Sequence, residues 1–401
     1  MFSVGGDVGK CSGNAIISDM AFHYDIIVFG GGIAGLYTAN RLRRAGFNLI
    51  LIEKDTLGGV QTLASQGMIH GGQKYGLGGS VTGHSQSMAA MPARWDACFA
   101  GAGDVDLSGV HFLSKTQLMF PAASLMSVAM AHAAVTTANR PSRKLAPEQF
   151  PDILKREPVF EMQEQVLDAK SLVEALAKNL SGRIFHGELT EVKSDGQVSV
   201  SGIAMQAKHM IFAAGAGNEF ALNLCNVTGR HTQRRPLRQF MVKTLSNALY
   251  GHGTSVGVKP RVTITSHPIG AGEYVWYLGG NIAESSVGMP ENEALDFARS
   301  EMSAIFPDID WRRKEWASFT IDRAEPFDES GRLPAGACIQ AHGSNLFAWP
   351  TKMTLVPELS DQILEWIRVQ ELLPSAETET PALPVPIVGQ YPWEGATWQK
   401  P

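Results

Sequence analysis

Residues 24–53 read YDIIVFGGGIAGLYTANRLRRAGFNLILIE. Tyr24 to Gly30 is a short run rich in β-branched residues and closed by glycine, which predicts a buried parallel strand. Ile33 to Ala45 carries helical spacing, with Leu36, Ala39, Asn40 and Leu42 on neighbouring turns, and Gly46 stops it. Asn48 to Glu53 predicts a second buried strand. The three pieces form a β-α-β unit, which is right-handed and needs cover on both faces. Gly30, Gly32 and Gly35 fit GxGxxG between strand and helix. The first allows the tight turn, the second lets backbone N–H groups approach a pyrophosphate, and the third lets the helix pack on the strand. Ile33 and Ala34 open the helix, whose positive dipole end faces the diphosphate. Glu53 closes the second strand 18 residues after Gly35, where a carboxylate accepts hydrogen bonds from ribose hydroxyls.

The remaining composition sets bounds on the chain. Its 401 residues suit two domains, or one with an inserted lobe, at roughly 150 residues per domain. With 44% apolar and 18% charged residues it is an ordinary globular composition with enough material for a sizeable core. Lys plus Arg is 34 against 39 for Asp plus Glu, and a net charge of -5 argues against nucleic acid as a partner. Cys11, Cys98, Cys225 and Cys338 show no CxxC spacing, so no disulfide scaffold, zinc knuckle or dithiol motif is suggested and no metal is expected. The longest apolar runs are about ten residues, against the ~20 of a spanning helix. Residues 1–22 do not read as a secretory signal, and a flexible leader on a cytoplasmic enzyme is expected, with peripheral membrane contact left open.

Further along, residues 57–87 are rich in Gly, Ser, Thr and Gln, a length of loop that is usually functional. Met88 to Phe99 predicts a helix, Gly109 to Leu118 a strand, and Asp168 to Leu180 an amphipathic helix with an Asp N-cap. Short hairpin elements follow at 183–203, and His209 to Gly215 is another buried strand. Gln239 to Thr265 and Tyr274 to Leu278 have a period near two, as antiparallel strands do. Glu291 to Ile305 predicts a helix, Asn345 to Trp349 a last strand and Glu358 to Leu372 a last helix. The tail 373–401 holds six prolines and is expected to run extended along the surface.

The β-α-β unit alone does not separate FAD from NAD. Gly58 to Tyr75, GGVQTLASQGMIHGGQKY, is a run of small and polar residues that can lie against a flat ring system, where an NAD enzyme runs into a second β-α unit. With this segment the chain resembles the D-amino-acid oxidase (glycine oxidase) superfamily of FAD-dependent oxidoreductases across most of residues 24–370. Ile69 to Tyr75, IHGGQKY, is similar to the IHGGxRY segment of FAD-linked glycerol-3-phosphate dehydrogenases and the IHAGxYY segment of L-2-hydroxyglutarate dehydrogenases. Val166-Leu167-Asp168 with Leu172 and Leu176 resembles the superfamily's helix-entry motif. Ala213 to Asn218, AAGAGN, resembles its second FAD motif. Arg235 to Gln239, RPLRQ, is similar to the RPxRGQ strand entering the substrate domain, without the intervening glycine. Trp276 to Gly280 matches the YxGG strand, and Arg323 to Pro326 stands at the RP element that supplies a substrate arginine. Trp349 to Leu355, WPTKMTL, resembles the GGKLTT element of the glycerol-3-phosphate group without its glycines.

The resemblance implies an α/β fold: a Rossmann-like FAD-binding domain with an inserted α+β substrate domain on an antiparallel sheet. The FAD domain is expected from 23–100, 160–235 and 325–372, the substrate domain from 101–159 and 236–324, and a Pro-rich tail from 373. FAD contacts are expected at Gly30, Gly32, Ile33, Ala34, Gly35, Glu53, Lys54, Gln61, Thr62, Ser65, Gln66, Gly67, Val192, Ala214, Gly215, Asn218, Lys352, Met353 and Thr354. His70 has the pKa range of a base for the leaving proton, and the alternatives are a loop-orienting histidine or a covalent flavin link. Lys352 falls where a cation stabilises negative charge on the reduced ring, the alternative being a surface lysine. Arg323 reads as a clamp for a substrate anion, with an ion pair to Asp322, Glu325 or Asp328 as the plainer reading. Arg230, Arg234, Arg235 and His231 read as a solvated basic run, and Arg238 is kept as a cavity residue. Tyr75, Tyr277 and Trp276 are candidates for a pocket wall, although aromatic residues on strands are more often core. Cys98 and Cys225 read as buried thiols, and Met119 to Met130 as helix packing, a lid being the alternative.

The expected function is oxidation of a small anionic substrate, a 2-hydroxy acid, polyol phosphate or amino acid, by hydride transfer to the flavin. The electron acceptor stays open among oxygen, a quinone and an electron-transfer protein. Two other readings remain: an FAD-binding assembly factor with little turnover, and an NAD enzyme, which the 58–75 segment argues against.

Overall fold

The apolar run after Tyr24 forms the strand His23–Phe29 at the heart of an eight-stranded sheet. In the computed structural model, which describes residues 22–71, 83–122, 128–129, 131, 141–255, 259–329 and 336–400, its neighbours run parallel to it. Across the sheet lie Cys338–His342, Asn345–Trp349, Ile203–Phe212, His23–Phe29, Leu49–Glu53 and Ile184–His186, with only the first of these antiparallel to its neighbour. Leu189–Val192 and Gln197–Val200 extend it as a hairpin on Ile203–Phe212. The strands read as continuous apolar runs because both faces are covered. Ile26 and Val28 point into one core and Ile27 and Phe29 into the other, where Phe29 stacks on Phe212 and Phe212 on Phe347.

The helix Ile33–Arg44 follows the first strand, ends in three arginines and stops ahead of Gly46, whose φ is +94°. Its Asn40 is buried and donates to the carbonyls of Leu36 and Leu176, stitching it to the helix Ala169–Asn179. Asp168 caps that second helix, accepting from the N–H groups of Lys170 and Ser171.

The second sheet also has eight strands, in the order Glu315–Pro326, Thr232–Leu245, Glu273–Gly279, Val262–Gly270, Gly251–Thr254, Gln117–Pro121, Phe160–Met162, Ser142–Lys144. Every pairing is antiparallel except that of Gly251–Thr254 with Gln117–Pro121. The helix Glu291–Ile305 backs one face, burying Leu295, Ala298 and Met302 against Phe240, Trp276 and Trp316. This α/β architecture, a parallel Rossmann-like sheet with an inserted antiparallel-sheet unit, is the expected one.

Several local expectations change. The helix expected from Met88 spans Gly83–Phe99. The single strand expected over 109–118 is two, Phe112–Ser114 and Gln117–Pro121, because the Ser114 hydroxyl donates to the Thr116 carbonyl and turns the chain. The last helix spans Val356–Val369, with Pro357 in its first turn, where a missing N–H costs nothing. Phe160–Met162, placed with the FAD segments, belongs to the second sheet. The tail has no helix or long strand, as its prolines imply, and runs extended with Leu373, Val385 and Ile387 exposed, but its Tyr391 and Trp393 are buried. The leader up to residue 21, Tyr75 and, within Met119 to Met130, residues 123–127 and 130 lie outside the described residues, while Met119 to Pro121 belong to a strand rather than to helix packing.

Candidate functional site

Three parallel strands end side by side at Phe29, Phe212 and Trp349, and the ends of adjacent parallel strands are where α/β sheets bind ligands. Gly30 adopts φ +111°, and a Cβ there would stand 2.6 Å from the Ala213 carbonyl oxygen. A Cβ on Gly35 would stand 1.9 Å from the Gly30 oxygen, so the helix can approach the turn only with glycine at that position. Nothing crowds Gly32 more closely than the Thr62 hydroxyl at 3.4 Å, which leaves its outer side clear. The first N–H groups of a helix have no carbonyl behind them. That of Ile33 donates to Thr62 Oγ1 at 3.0 Å, and those of Gly32, Ala34 and Gly35 belong to the same first turn, which is the part of a helix that can hold an anion.

Glu53 stands at the end of its strand and accepts from the N–H groups of Gly31 and Asp55. Each carboxylate oxygen has a second lone pair, so the residue both fixes the glycine turn and can receive ribose hydroxyls. Gln61 reaches the Gly215 turn, its amide nitrogen lying 3.1 Å from where a Cβ of Gly215 would be. Asn218 is fully buried; it accepts from Ala214 N–H at 2.9 Å and donates to the Ala348 carbonyl at 3.2 Å, locking two strand ends together. The structure thus brings Gly30, Gly32, Ile33, Ala34, Gly35, Glu53, Gln61, Thr62, Ala214 and Gly215 to one rim.

Other expected contacts take different places. The Ser65 hydroxyl donates to the Thr62 carbonyl. The Gln66 amide donates to the carbonyls of Thr263 and Tyr277, both at 3.0 Å, which anchors the loop to the second sheet rather than pointing the side chain at the rim. Gly67 has φ +63° and passes so close to Leu167 that a Cβ would lie 2.3 Å from its carbonyl oxygen. Lys54 is exposed and pairs with Asp55 at 3.2 Å. Val192 ends its strand opposite Val198 and packs on the core beneath the parallel sheet.

In the second sheet the strands Thr232–Leu245 and Glu315–Pro326 pair from Thr232 with Pro326 to Lys243 with Glu315. Arg235 faces Arg323 directly in this register. Arg235 holds Glu325 through two bonds of 2.6 and 2.7 Å, and Glu325 is only 1% exposed. Arg323 instead takes Glu284 at 3.3 Å and the carbonyls of Arg235 and Pro236. Burial, with the neighbouring Arg235 charge, lowers the Arg323 pKa against the pull of Glu284. Alternation along the strand sends Arg238 to the opposite face, where it pairs with Glu291 of the backing helix at 3.5 Å. Arg238 therefore does not share the Arg323 face, and Arg235, read as part of a solvated run, is the arginine that does. Tyr277 is likewise no open pocket wall: it is fully buried and donates to the Ala64 carbonyl at 2.7 Å. Trp276 is core.

The segment after Trp349 turns through Thr351 (φ +58°) into a short 3-10 helix, Met353–Leu355. Burial pushes the Lys352 amine down to about 8, Arg235 adds to the fall and Glu325 opposes it. Thr354 is buried, and its hydroxyl oxygen lies 3.5 Å from the backbone N–H of His70. Met353 packs on the core. His70 is 9% exposed, and the next N–H, of Gly71, donates to Glu164 Oε1 at 2.7 Å. Glu164 and Glu325 are both 1% exposed; Glu164 carries no motif, and Glu325, weighed in the sequence as a partner of Arg323, is held by Arg235 instead.

The residues fit FAD: a glycine turn too close for side chains, an N-terminal anion site, a carboxylate at the neighbouring strand end and a buried amine beside the third strand. Among the described residues no group of His, Cys, Asp and Glu is arranged to hold a metal, and no helix is long and apolar enough to cross a membrane.

Comparison with known proteins agrees with this geometry. The family model for FAD-dependent oxidoreductases of the DAO type matches residues 25–347. A probable FAD-dependent oxidoreductase of Pseudomonas aeruginosa is 36% identical over 387 residues, 94% of this chain and 99% of the relative. A crystal structure of an FAD-dependent oxidoreductase from the same organism superposes with a TM-score of 0.81 at 34% identity, covering 93% of this chain and 98% of the other. Glycine oxidase from Geobacillus kaustophilus (TM-score 0.60, 17% identity, 89% and 97% covered) and FAD-bound L-α-glycerophosphate oxidase from Mycoplasma pneumoniae (0.61, 15%, 90% and 97%) share the fold. With the glycine turn, the strand order and a match spanning most of its length in agreement, the chain belongs to the DAO family of FAD-dependent oxidoreductases.

Proposed function

We propose that this oxidoreductase removes hydride from a carbon bearing a hydroxyl or an amine in a small anionic substrate. A 2-hydroxy acid or polyol phosphate is favoured over an amino acid. The observation that carries the reading is the pairing of Arg235 and Arg323 across one strand register, on the face shared with Glu325. Two guanidinium groups side by side make a fork for carboxylate or phosphate oxygens. Glu325 neutralises Arg235 and fixes it, which leaves Arg323 as the clamp. Arg323 spends one N–H on Glu284 and two on carbonyls, so two of its five donors remain for the substrate.

FAD, when bound, supplies the two-electron acceptor. The chain's own groups then orient and charge the site. His70 is the proton acceptor, held by the packing of its loop on Thr354 and by Glu164 one residue on. Lys352 would supply the positive charge that steadies a reduced flavin held in the site. The preference for the hydroxy-acid or polyol-phosphate branch rests on the Ile69–Tyr75 and Lys352–Thr354 segments.

The test is the visible spectrum of the yellow protein, followed anaerobically as 2-hydroxy acids, glycerol phosphates, D-amino acids and L-amino acids are added. Bleaching by a compound of the first two classes supports the reading; bleaching by amino acids alone overturns the branch. Readmitting oxygen, then a quinone, distinguishes oxidase from dehydrogenase. Arg323→Ala is expected to raise KM for the bleaching compound about 100-fold, since a charged hydrogen-bonded pair contributes about 2–3 kcal/mol. An unchanged KM would remove Arg323 from the site.

A further inference from the structure

The C-terminal tail threads past the cofactor rim and ties to it by backbone. Leu57 N–H donates to the Ile387 carbonyl and Gly389 N–H to the Leu57 carbonyl, both at 2.9 Å. The two backbones are in direct contact here, since a Cβ on Gly389 would lie 2.8 Å from the Gly59 Cα. Two residues on, the Tyr391 hydroxyl donates to Asp168 and accepts from Lys170 N–H, at the cap of the helix Ala169–Asn179. Trp393 stacks on Tyr391 at 4.1 Å and lies 4.1 Å from the buried His267 and 5.7 Å from Tyr277. Tyr277 in turn holds the Ala64 carbonyl. The loop bearing Gln61 and Thr62 is therefore gripped at both ends, at Leu57 through the Gly389 backbone and at Ala64 through Tyr277 and Trp393.

We propose that residues 387–393 are a positioning element for FAD, with Gly389, Tyr391 and Trp393 setting the loop 57–66 so that Thr62 meets the helix N-terminus and Gln61 the Gly215 turn. The inference rests on the reading that this loop contacts FAD. A loop free to move must be ordered when the ligand binds, and that cost is subtracted from affinity. A loop already fixed by the tail has no such cost.

The test compares FAD dissociation constants, read from flavin fluorescence, with thermal midpoints of the apoproteins. Gly389→Val and Trp393→Ala are expected to weaken FAD about tenfold or more. Trp398→Ala disturbs the tail beyond the loop, where Lys243 stands over its ring at 4.6 Å, and is expected to lower the midpoint with FAD affinity within about twofold of the parent. Gly389→Ala adds one methyl group and serves if the larger changes do not fold; hydrogen exchange of residues 57–66 in its apoprotein is expected to quicken. Gly389 and Trp393 variants that lose stability but keep the parent FAD affinity overturn the proposal. Thr62→Ala separates the two levels. If it leaves FAD affinity unchanged, the loop reading fails and the proposal with it; if it weakens FAD while the tail variants do not, the proposal alone fails.

Discussion

Lys352 shows how burial sets chemistry at a single residue. With its pKa brought down to about 8 by burial and then by Arg235, it is cationic at neutral pH and loses its charge just above. The rate of anaerobic bleaching is expected to fall as pH rises through about 8, and Lys352→Met to be slow throughout and to lack that step. A pH-rate profile that keeps the step in the variant would assign it elsewhere. His267 is the opposite kind of residue, 4% exposed and packed on Tyr391 and Trp393. Burial lowers its pKa from 6.5 to about 3, with Asp168 pulling the other way. The unfolded chain therefore binds a proton at a pH where the folded one does not. The stability held by the neutral ring is complete above about 6.5 and is lost as pH falls towards 3. At about 1.4 kcal/mol per pH unit for one proton, His267→Gln is expected to reduce the stability lost between pH 7 and pH 5 by about 1–2 kcal/mol in denaturant titrations.

Among the elements, the glycine turn is the least tolerant of change. At Gly35 the added methyl would lie 1.9 Å from a backbone carbonyl, and no side-chain rotation relieves that. Gly35→Ala must move the helix Ile33–Arg44 off the strand, at a cost of about 2–4 kcal/mol. Purified Gly35→Ala protein is expected to be colourless and to melt well below the parent; a yellow protein with the parent melting point would contradict this account of the turn. The strand pair Thr232–Leu245 and Glu315–Pro326 carries the other lesson. In an extended chain, one position decides which face a side chain takes, so Arg235 and Arg238, three residues apart, serve different sides of one sheet.

Over the whole molecule, ion pairs link elements far apart in sequence. Arg41 and Arg94 both reach Asp104 and Asp361, joining the helices Ile33–Arg44, Gly83–Phe99 and Val356–Val369. Burial raises the Asp361 pKa, but its pairs with Arg94 and Arg41 outweigh this and hold it below 3.8, so its contribution is present above that pH and lost below it. The Asp361 side chain is half exposed, and Asp104 can still serve both arginines after its loss. Asp361→Asn is therefore expected to cost about 1 kcal/mol or less, visible as a small fall in melting temperature that 1 M salt erases. The tail spans a similar range, from Ser375 on Asp25 to Gln399 paired with Trp316 of the second sheet.

Sequence alone specifies the β-α-β unit, its glycine turn and the carboxylate that closes it, because these depend on contacts within thirty residues and on backbone conformations that few residues allow. It also determined the family and, with it, the α/β architecture and FAD. Whatever depends on strand register and long-range packing came only with the folded chain. It put Arg235 rather than Arg238 beside Arg323, gave Glu325 to Arg235 and Glu284 to Arg323, closed Tyr277 into the core, and wound a proline-rich tail against the loop 57–66. A local pattern carries no record of which distant strand a residue will face, and a segment without periodicity gives no sign of the surface that will order it.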